Sequence, residues 1–287
     1  MTKKILSLSV AAALLAAAVY SAEPAARLTV LVDNAVAKAG VKAEWGFACL
    51  VEAHGRTVLL DTGPDPEVLK NNLAALTVDP ARIEAVVISH YHGDHTLGAP
   101  GLAVGKRVPV YTPHSFDLDR HKKAAAALDA AGLVRVPVTV MTKVFDGITV
   151  SEPLRFVRAI PQGKPGAGSK NEQWDWEQCL VVDTPPGLVV IVGCSHPGIL
   201  AMLEQGKKES GRPIYLVIGG FHLLHTSLAD VRTIAASMKA MGVACVGATH
   251  CTGEAAAAVF RDVFGDRYVD AAVGSVIEVA APLPGGP

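Results

Sequence analysis

Charge is scarce in this 287-residue chain. Only 18% of its residues are Asp, Glu, Lys or Arg, their charges almost cancel to −1, and no basic run exceeds two residues. A surface that grips a polyanion needs clustered positive charge. No nucleic-acid surface is therefore expected, although a small phosphoester substrate remains compatible. A disulfide framework is missing too. The cysteines, Cys49, Cys179, Cys194, Cys245 and Cys251, are odd in number and irregularly spaced. A chain of this size does not need cross-links to fold, so at least one thiol is expected to stay free or to bind metal. Low-complexity tracts and short-period repeats are absent from the chain after residue 22. The apolar stretch Ile5 to Val19 falls short of the roughly 20 residues that a membrane span needs.

That stretch instead has the form of a targeting segment. Lys3 and Lys4 precede it, and Ser21 and Ala22 follow before the composition changes at Glu23-Pro24. Residues 1–22 are read as a signal peptide. The mature chain, 23–287, is then expected to be periplasmic or secreted, with no stable membrane span. Half of all residues are hydrophobic, enough for a large core in one sizeable domain or two tightly joined halves.

Strands are expected at Leu28–Val32, at Phe47–Glu52 and Thr57–Leu60 around the turn His54-Gly55, and at Ile83–Ser89, Leu188–Val192, Tyr215–Ile218 and Val243–Val246. Helices are expected at Pro66–Leu76 with Asp65 as N-cap, and at Phe116–Ala131, Gly198–Gln205, Leu228–Met241 and Glu254–Phe264. Strands alternating with helices give an α/β fold class. Pro161–Gln178, rich in Gly, Pro, Lys and Gln, reads as a long surface loop, a kind of segment that is more often functional than idle. Its Trp174 and Trp176 fit a lid or plain packing equally.

Four apolar runs each end in a small residue and then a histidine: at Ser89-His90, Gly193-Cys194-Ser195-His196, Gly219-Gly220-Phe221-His222 and Ala248-Thr249-His250. Ligands in layered α/β folds bind beyond the carboxyl ends of strands, so these histidines can converge. The densest group is His90-Tyr91-His92-Gly93-Asp94-His95, with four metal-ligating side chains in six residues. On an extended loop His90 and His92 point the same way and can share an ion, while Asp94 and His95 turn toward a second. Imidazole and carboxylate suit zinc, and also iron or manganese. His54, His114 and His121 read as surface or turn residues. His225 is open between a supporting and a surface role. Cys49, Cys179 and Cys245 read as buried hydrophobes, and Cys251 as a packed small residue rather than a ligand.

The His90–His95 segment resembles the HxHxDH signature of the metallo-β-lactamase superfamily, and Leu59-Leu60-Asp61-Thr62-Gly63 resembles its first motif. Asp33-Asn34, Gly193–His196, Gly219–Leu223 and Thr249–Gly253 are similar to motifs of a subfamily that includes dihydropterin-type synthases of methanopterin biosynthesis. The resemblance implies an αββα sandwich, two mixed sheets face to face with helices outside and metals at one edge. It implies one or two zinc ions, with iron or manganese as alternatives, and a role for Asp61 in orienting the metal loop. Two departures stand out: no histidine lies between Gly147 and Val192, and Cys194 stands about where a bridging aspartate is usual. The ligand set is accordingly read as His90, His92 and His196 for one ion and Asp94, His95 and His250 for the other. Cys194, His222 and Asp61 are ligands or their supports. Asp94 is the catalytic candidate. The implied activity is hydrolysis of a small-molecule ester, lactone, amide or phosphoester. The alternatives are the synthase chemistry of the pterin-related relatives and a non-hydrolytic periplasmic metal or redox protein.

Overall fold

The computed structural model describes residues 23–114, 119–156 and 175–280. The signal-peptide reading of 1–22, Trp174 and the start of the expected helix at Phe116 lie outside them. One sheet is formed by β1 (Ala26–Val32), β2 (Ala48–Ala53), β3 (Arg56–Leu60), β4 (Ala85–Val87), β5 (Val108–Pro113) and β6 (Leu133–Val138), with the last strand, β15 (Val276–Val279), added beside β1. The other contains β7 (Thr142–Phe145), β8 (Ile148–Val150), β11 (Leu180–Thr184), β12 (Gly187–Val192), β13 (Ile214–Gly220) and β14 (Cys245–Thr249). A short ribbon pairs β9 (Leu154–Arg155) with β10 (Trp176–Glu177). The helices are α1 (Pro66–Ala75), α2 (Gly93–Thr96), α3 (Lys122–Ala130), α4 (Ile199–Ser210), α5 (Leu228–Ala240) and α6 (Glu254–Phe264).

Period-two alternation explains the layering. In β12, Val189 and Ile191 enter the core between the sheets, while Leu188, Val190 and Val192 pack beneath α4, α5 and α6. In β4, Ala85 and Val87 face the inter-sheet core, and Val86 faces the layer of α1 and α3. Strands buried on both faces read as unbroken apolar runs, which is how these two appear in the sequence. Three apolar layers between four layers of structure give the expected αββα sandwich. Among the described residues, no helix is long and apolar enough to cross a membrane.

Parallel pairing sets where the chemistry goes. β3 to β6 run parallel in one sheet, and β12 to β14 in the other. Their carboxyl ends deliver Asp61, His90, Cys194, His222 and His250 to one edge of the sandwich. The turn into α1 follows the sequence closely. Asp65 Oδ1 accepts from Glu67 N at 2.7 Å and Val68 N at 3.1 Å, and Pro66 opens the helix. Asp65→Ala is expected to lower stability by about 1 kcal/mol while leaving metal content unchanged, as urea unfolding and metal analysis would show.

Candidate metal centre

Asp61 leaves β3 with a positive φ of 56° and is fully buried. Its Oδ1 accepts from Ser89 N at 2.7 Å, and its Oδ2 accepts from Ser89 Oγ at 2.6 Å and from His95 Nδ1 at 2.7 Å. The first bond ties the end of β4 to the end of β3. The last fixes the His95 tautomer, leaving Nε2 for a ligand. Ser89 Oγ in turn lies 2.9 Å from His90 Nδ1, so His90 also turns Nε2 inward. Close approach of the sheets here requires glycine: a Cβ on Gly193 would sit 2.1 Å from Ser89 Oγ.

The three imidazoles of His90, His92 and His196 surround one point. Their ring centroids are 4.6, 4.7 and 4.7 Å apart, each pair edge to face. Beside them, Asp94, His95, Cys194 and His250 form a second group whose ligand atoms all lie within 4.8 Å of one another. Asp94 Oδ2 is 3.7 Å from His95 Nε2 and 3.4 Å from His250 Nε2, and Cys194 Sγ is 3.2 Å from His95 Nε2. The expected ligand set is thus brought together, and Cys194 joins it. His222 instead lies outside, exposed, with its ring 4.4 Å from that of His196 and its side chain near Cys194 and Cys251.

His250 is also held from behind. His250 Nδ1 meets Asn34 Oδ1 at 3.2 Å, Asn34 Nδ2 donates to His250 O at 3.0 Å, and Asp33 Oδ1 accepts from His250 N at 3.0 Å. The Asp33-Asn34 motif therefore sets the aim of His250. Asn34→Ala is expected to weaken metal binding in the second group by about 10-fold, with the first group unaffected, in a calorimetric zinc titration. Backbone strain concentrates at the same edge: of the six non-glycine residues with positive φ among the described residues, Asp61, Ser195, His222 and His250 are here. Such conformations persist where surrounding contacts enforce them.

The support of His196 was not legible in the sequence. Glu177 of β10, fully buried, accepts from the consecutive backbone N–H groups of Cys194 (2.8 Å), Ser195 (2.7 Å) and His196 (2.7 Å), and from His196 Nδ1 at 2.8 Å. Burial pushes this carboxyl up, but the bonds and charge from His196 and the backbone donors outweigh it and bring it down to about 2. Phe156 stacks flat on His196, with centroids 4.2 Å apart and planes at 9°. Glu177 lies within the stretch read as a surface loop, and the loop reading is corrected for its last residues. Asp175 to Gln178 are buried or half-buried, and Trp176 packs against His114 at 4.7 Å.

His121 is a second correction. It is buried, with Nε2 3.0 Å from Asp175 Oδ1 and its ring 4.0 Å from Tyr91, the neighbour of His92. It braces the metal loop instead of facing solvent. His54 and His225 are exposed and His114 is half-buried, away from the two groups. Cys49, Cys179 and Cys245 are buried, as expected.

The electrostatics favour a cation. Burial first, then the charges of neighbouring imidazoles, push His90 well below the usual histidine range and His92 down to about 3. Both are neutral at pH 7 and ready to donate lone pairs. His90 Nε2 and His250 Nε2 are buried and make no hydrogen bond, an arrangement that costs free energy unless something binds to them. For Asp94, burial acts upward, but His95 and His250, then His92, hold the carboxylate below its ordinary range. Two clustered donor sets with orphaned inward nitrogens fit divalent metal ions.

The chain is 28% identical to 7,8-dihydropterin-6-methyl-4-(beta-D-ribofuranosyl)-aminobenzene-5'-phosphate synthase of Methanocaldococcus jannaschii, over 81% of this chain and 88% of that one. It is 26% identical to a ribonuclease Z of Anoxybacillus flavithermus over 57% of this chain and 54% of the relative. The fold matches a crystal structure of a metal-dependent hydrolase of the beta-lactamase superfamily with a TM-score of 0.72 and 28% identity, covering 89% of this chain and 99% of that one. The sequence model of the metallo-beta-lactamase superfamily matches residues 46–208. That span is more than half of the chain and carries Asp61, the whole of His90–His95 and His196, so the chain belongs to the metallo-beta-lactamase superfamily and is an enzyme of it.

Proposed function

We propose that this enzyme is a zinc-dependent hydrolase acting on an ester, lactone, amide or phosphoester of a small molecule. The observation that carries the reading is the pairing of an all-imidazole set, His90, His92 and His196, with an adjacent set of Asp94, His95, His250 and Cys194. His90, His92 and His196 would hold one ion, and the second set another. Imidazole and thiolate donors favour zinc over manganese. When bound, the ions supply a water acidic enough to be hydroxide at neutral pH and a positive charge that polarises the scissile group.

The chain's own residues do the rest. Asp94, partly open to solvent with 21% of its side chain accessible, would orient the attacking water through Oδ1, since Oδ2 is the oxygen nearest His95 and His250. Asp61, Asn34 and Glu177 keep the imidazoles aimed, so no reorganisation is needed during attack. Trp45, half exposed and 5.0 Å from the His250 ring, offers an apolar wall for the substrate body. The near-neutral net charge supports a small substrate over a nucleic acid.

The test is zinc analysis of the purified protein followed by a screen of lactone, β-lactam, thioester, phosphomonoester and phosphodiester substrates. Zinc-dependent turnover of one class, abolished in Asp94→Ala, is the expected result. A zinc-replete protein inert toward every class, but active in forming a dihydropterin–ribofuranosyl product, would replace hydrolysis with the synthase reading that the M. jannaschii relative favours. Iron in place of zinc with reversible redox behaviour would favour the non-hydrolytic reading. Export belongs to the same proposal: the basic start and apolar run support a periplasmic or secreted enzyme cleaved near Ala22. An intact Met1 in N-terminal sequencing of the native protein would overturn that part.

A further inference from the structure

Cys251 and His222 take no part in either donor set described above, yet both turn toward Cys194. The Cys251 thiol lies beside the Cys194 sulfur and the His222 ring. It also lies 3.6 Å from the Cys194 carbonyl oxygen. The ligand atoms of Cys194, His222 and Cys251 all fall within 4.8 Å of one another. Room for this contact is made by Gly220, where a Cβ would lie 2.6 Å from Cys251 Sγ and 2.5 Å from Gly193 O. The two thiols are buried, whereas His222 is exposed, so a group held by all three would keep one side open to solvent.

A buried thiol is ordinarily a small hydrophobe. Two thiols sharing an imidazole nitrogen do not match that role, because apolar packing has no use for the ring. Two sulfurs and a nitrogen form a soft donor set, the composition of Cys₂His zinc sites that retain an open fourth position. We propose that Cys194, Cys251 and His222 form a further cation site for a thiophilic d¹⁰ ion, sharing the Cys194 sulfur with the second donor set. A thiolate keeps lone pairs after binding one ion and can therefore bridge two. Binding is a plain exchange: both thiols lose their protons to solvent, two metal–sulfur bonds and one metal–nitrogen bond form, and nothing is oxidised. The site does not depend on the hydrolase reading, since the imidazoles of His90, His92 and His196 do not enter it.

Cadmium tests the site directly. Zinc-loaded protein titrated with Cd²⁺ is followed by the sulfur-to-cadmium absorption band and by cadmium NMR. The wild type is expected to give a resonance from a cadmium with two thiolates, distinct from any held by nitrogen and oxygen donors or by one sulfur. Cys251→Ser and His222→Ala should each remove that resonance and one equivalent of bound cadmium, while the zinc held by the imidazoles of His90, His92 and His196 is retained. Because His222 is exposed, its variant is expected to fold even if Cys251→Ser does not. Unchanged stoichiometry and sulfur absorption in His222→Ala and in folded Cys251→Ser would overturn the site. So would formation of a Cys194–Cys251 disulfide by oxidised glutathione at the same rate with and without cadmium.

Discussion

Replacing Glu177 with alanine is expected to lower the unfolding free energy of the metal-free protein by about 3–5 kcal/mol. It should also weaken metal binding by His90, His92 and His196 about 10- to 100-fold. The carboxylate sits with no solvent access among four donors, three of them the consecutive N–H groups of Cys194, Ser195 and His196. Removing it orphans all three inside the protein and frees the His196 ring to rotate. Glu177→Gln keeps the shape but points an amide NH₂ at donors that need an acceptor, so it is expected to recover only part of the loss. The pH dependence has a definite sign. With its pKa lowered from 4.5 to about 2, Glu177 stabilises the fold fully above pH 4.5 and loses that contribution as pH falls toward 2. Urea unfolding with calorimetric zinc titration checks the mutants. Unchanged stability and zinc affinity in both variants would reduce Glu177 to a bystander.

Glu177 also marks where the sequence stops being readable. His90 to His95 could be recognised because four ligand types stand within six residues, and the strand-end histidines because each closes an apolar run. Those runs were legible because β4 and β12 are buried on both faces. Glu177 has neither signal. It follows a Gly- and Pro-rich stretch, sits in a two-residue strand and reaches the centre only through tertiary packing. His121 was misread for a related reason: it precedes Lys122 and Lys123, which face solvent, while its own ring turns inward to Asp175 and Tyr91. Strands β5 and β6 escaped because Pro109, Pro113 and Pro137 interrupt the pattern expected of strands. Asn34 could be noticed as part of a motif, but its task, holding His250 across 216 residues of sequence, is a property of the fold.

Binding of an ion by Asp94, His95, His250 and Cys194 is expected to tighten steeply with pH, by about 100-fold per unit between pH 6.5 and 9. Burial disfavours the charged form of His95, but Asp94 and Asp61 outweigh it and raise its pKa to about 9. In the metal-free protein His95 therefore carries a proton at neutral pH, and a metal ion must displace it. Each displaced proton contributes a factor of ten per pH unit. Cys194, pushed well above the usual thiol range by burial and then by Cys251, supplies a second proton if its thiolate is a ligand, which doubles the logarithmic slope. His90 and His92 are already deprotonated at pH 6.5 and add nothing to the slope of the other site. The sign for the metal-free fold is opposite: the proton on His95 stabilises it below pH 6.5, and this stabilisation is lost as pH rises through 9. Zinc-induced thermal stabilisation should consequently grow across the same window. Calorimetry in buffers of different ionisation enthalpy counts the protons released with each ion. Two per second ion in the wild type and one in Cys194→Ser place the Cys194 sulfur on the metal. One in both leaves His95 as the displaced group and Cys194 as packing, and none in either would mean that His95 binds no proton to lose.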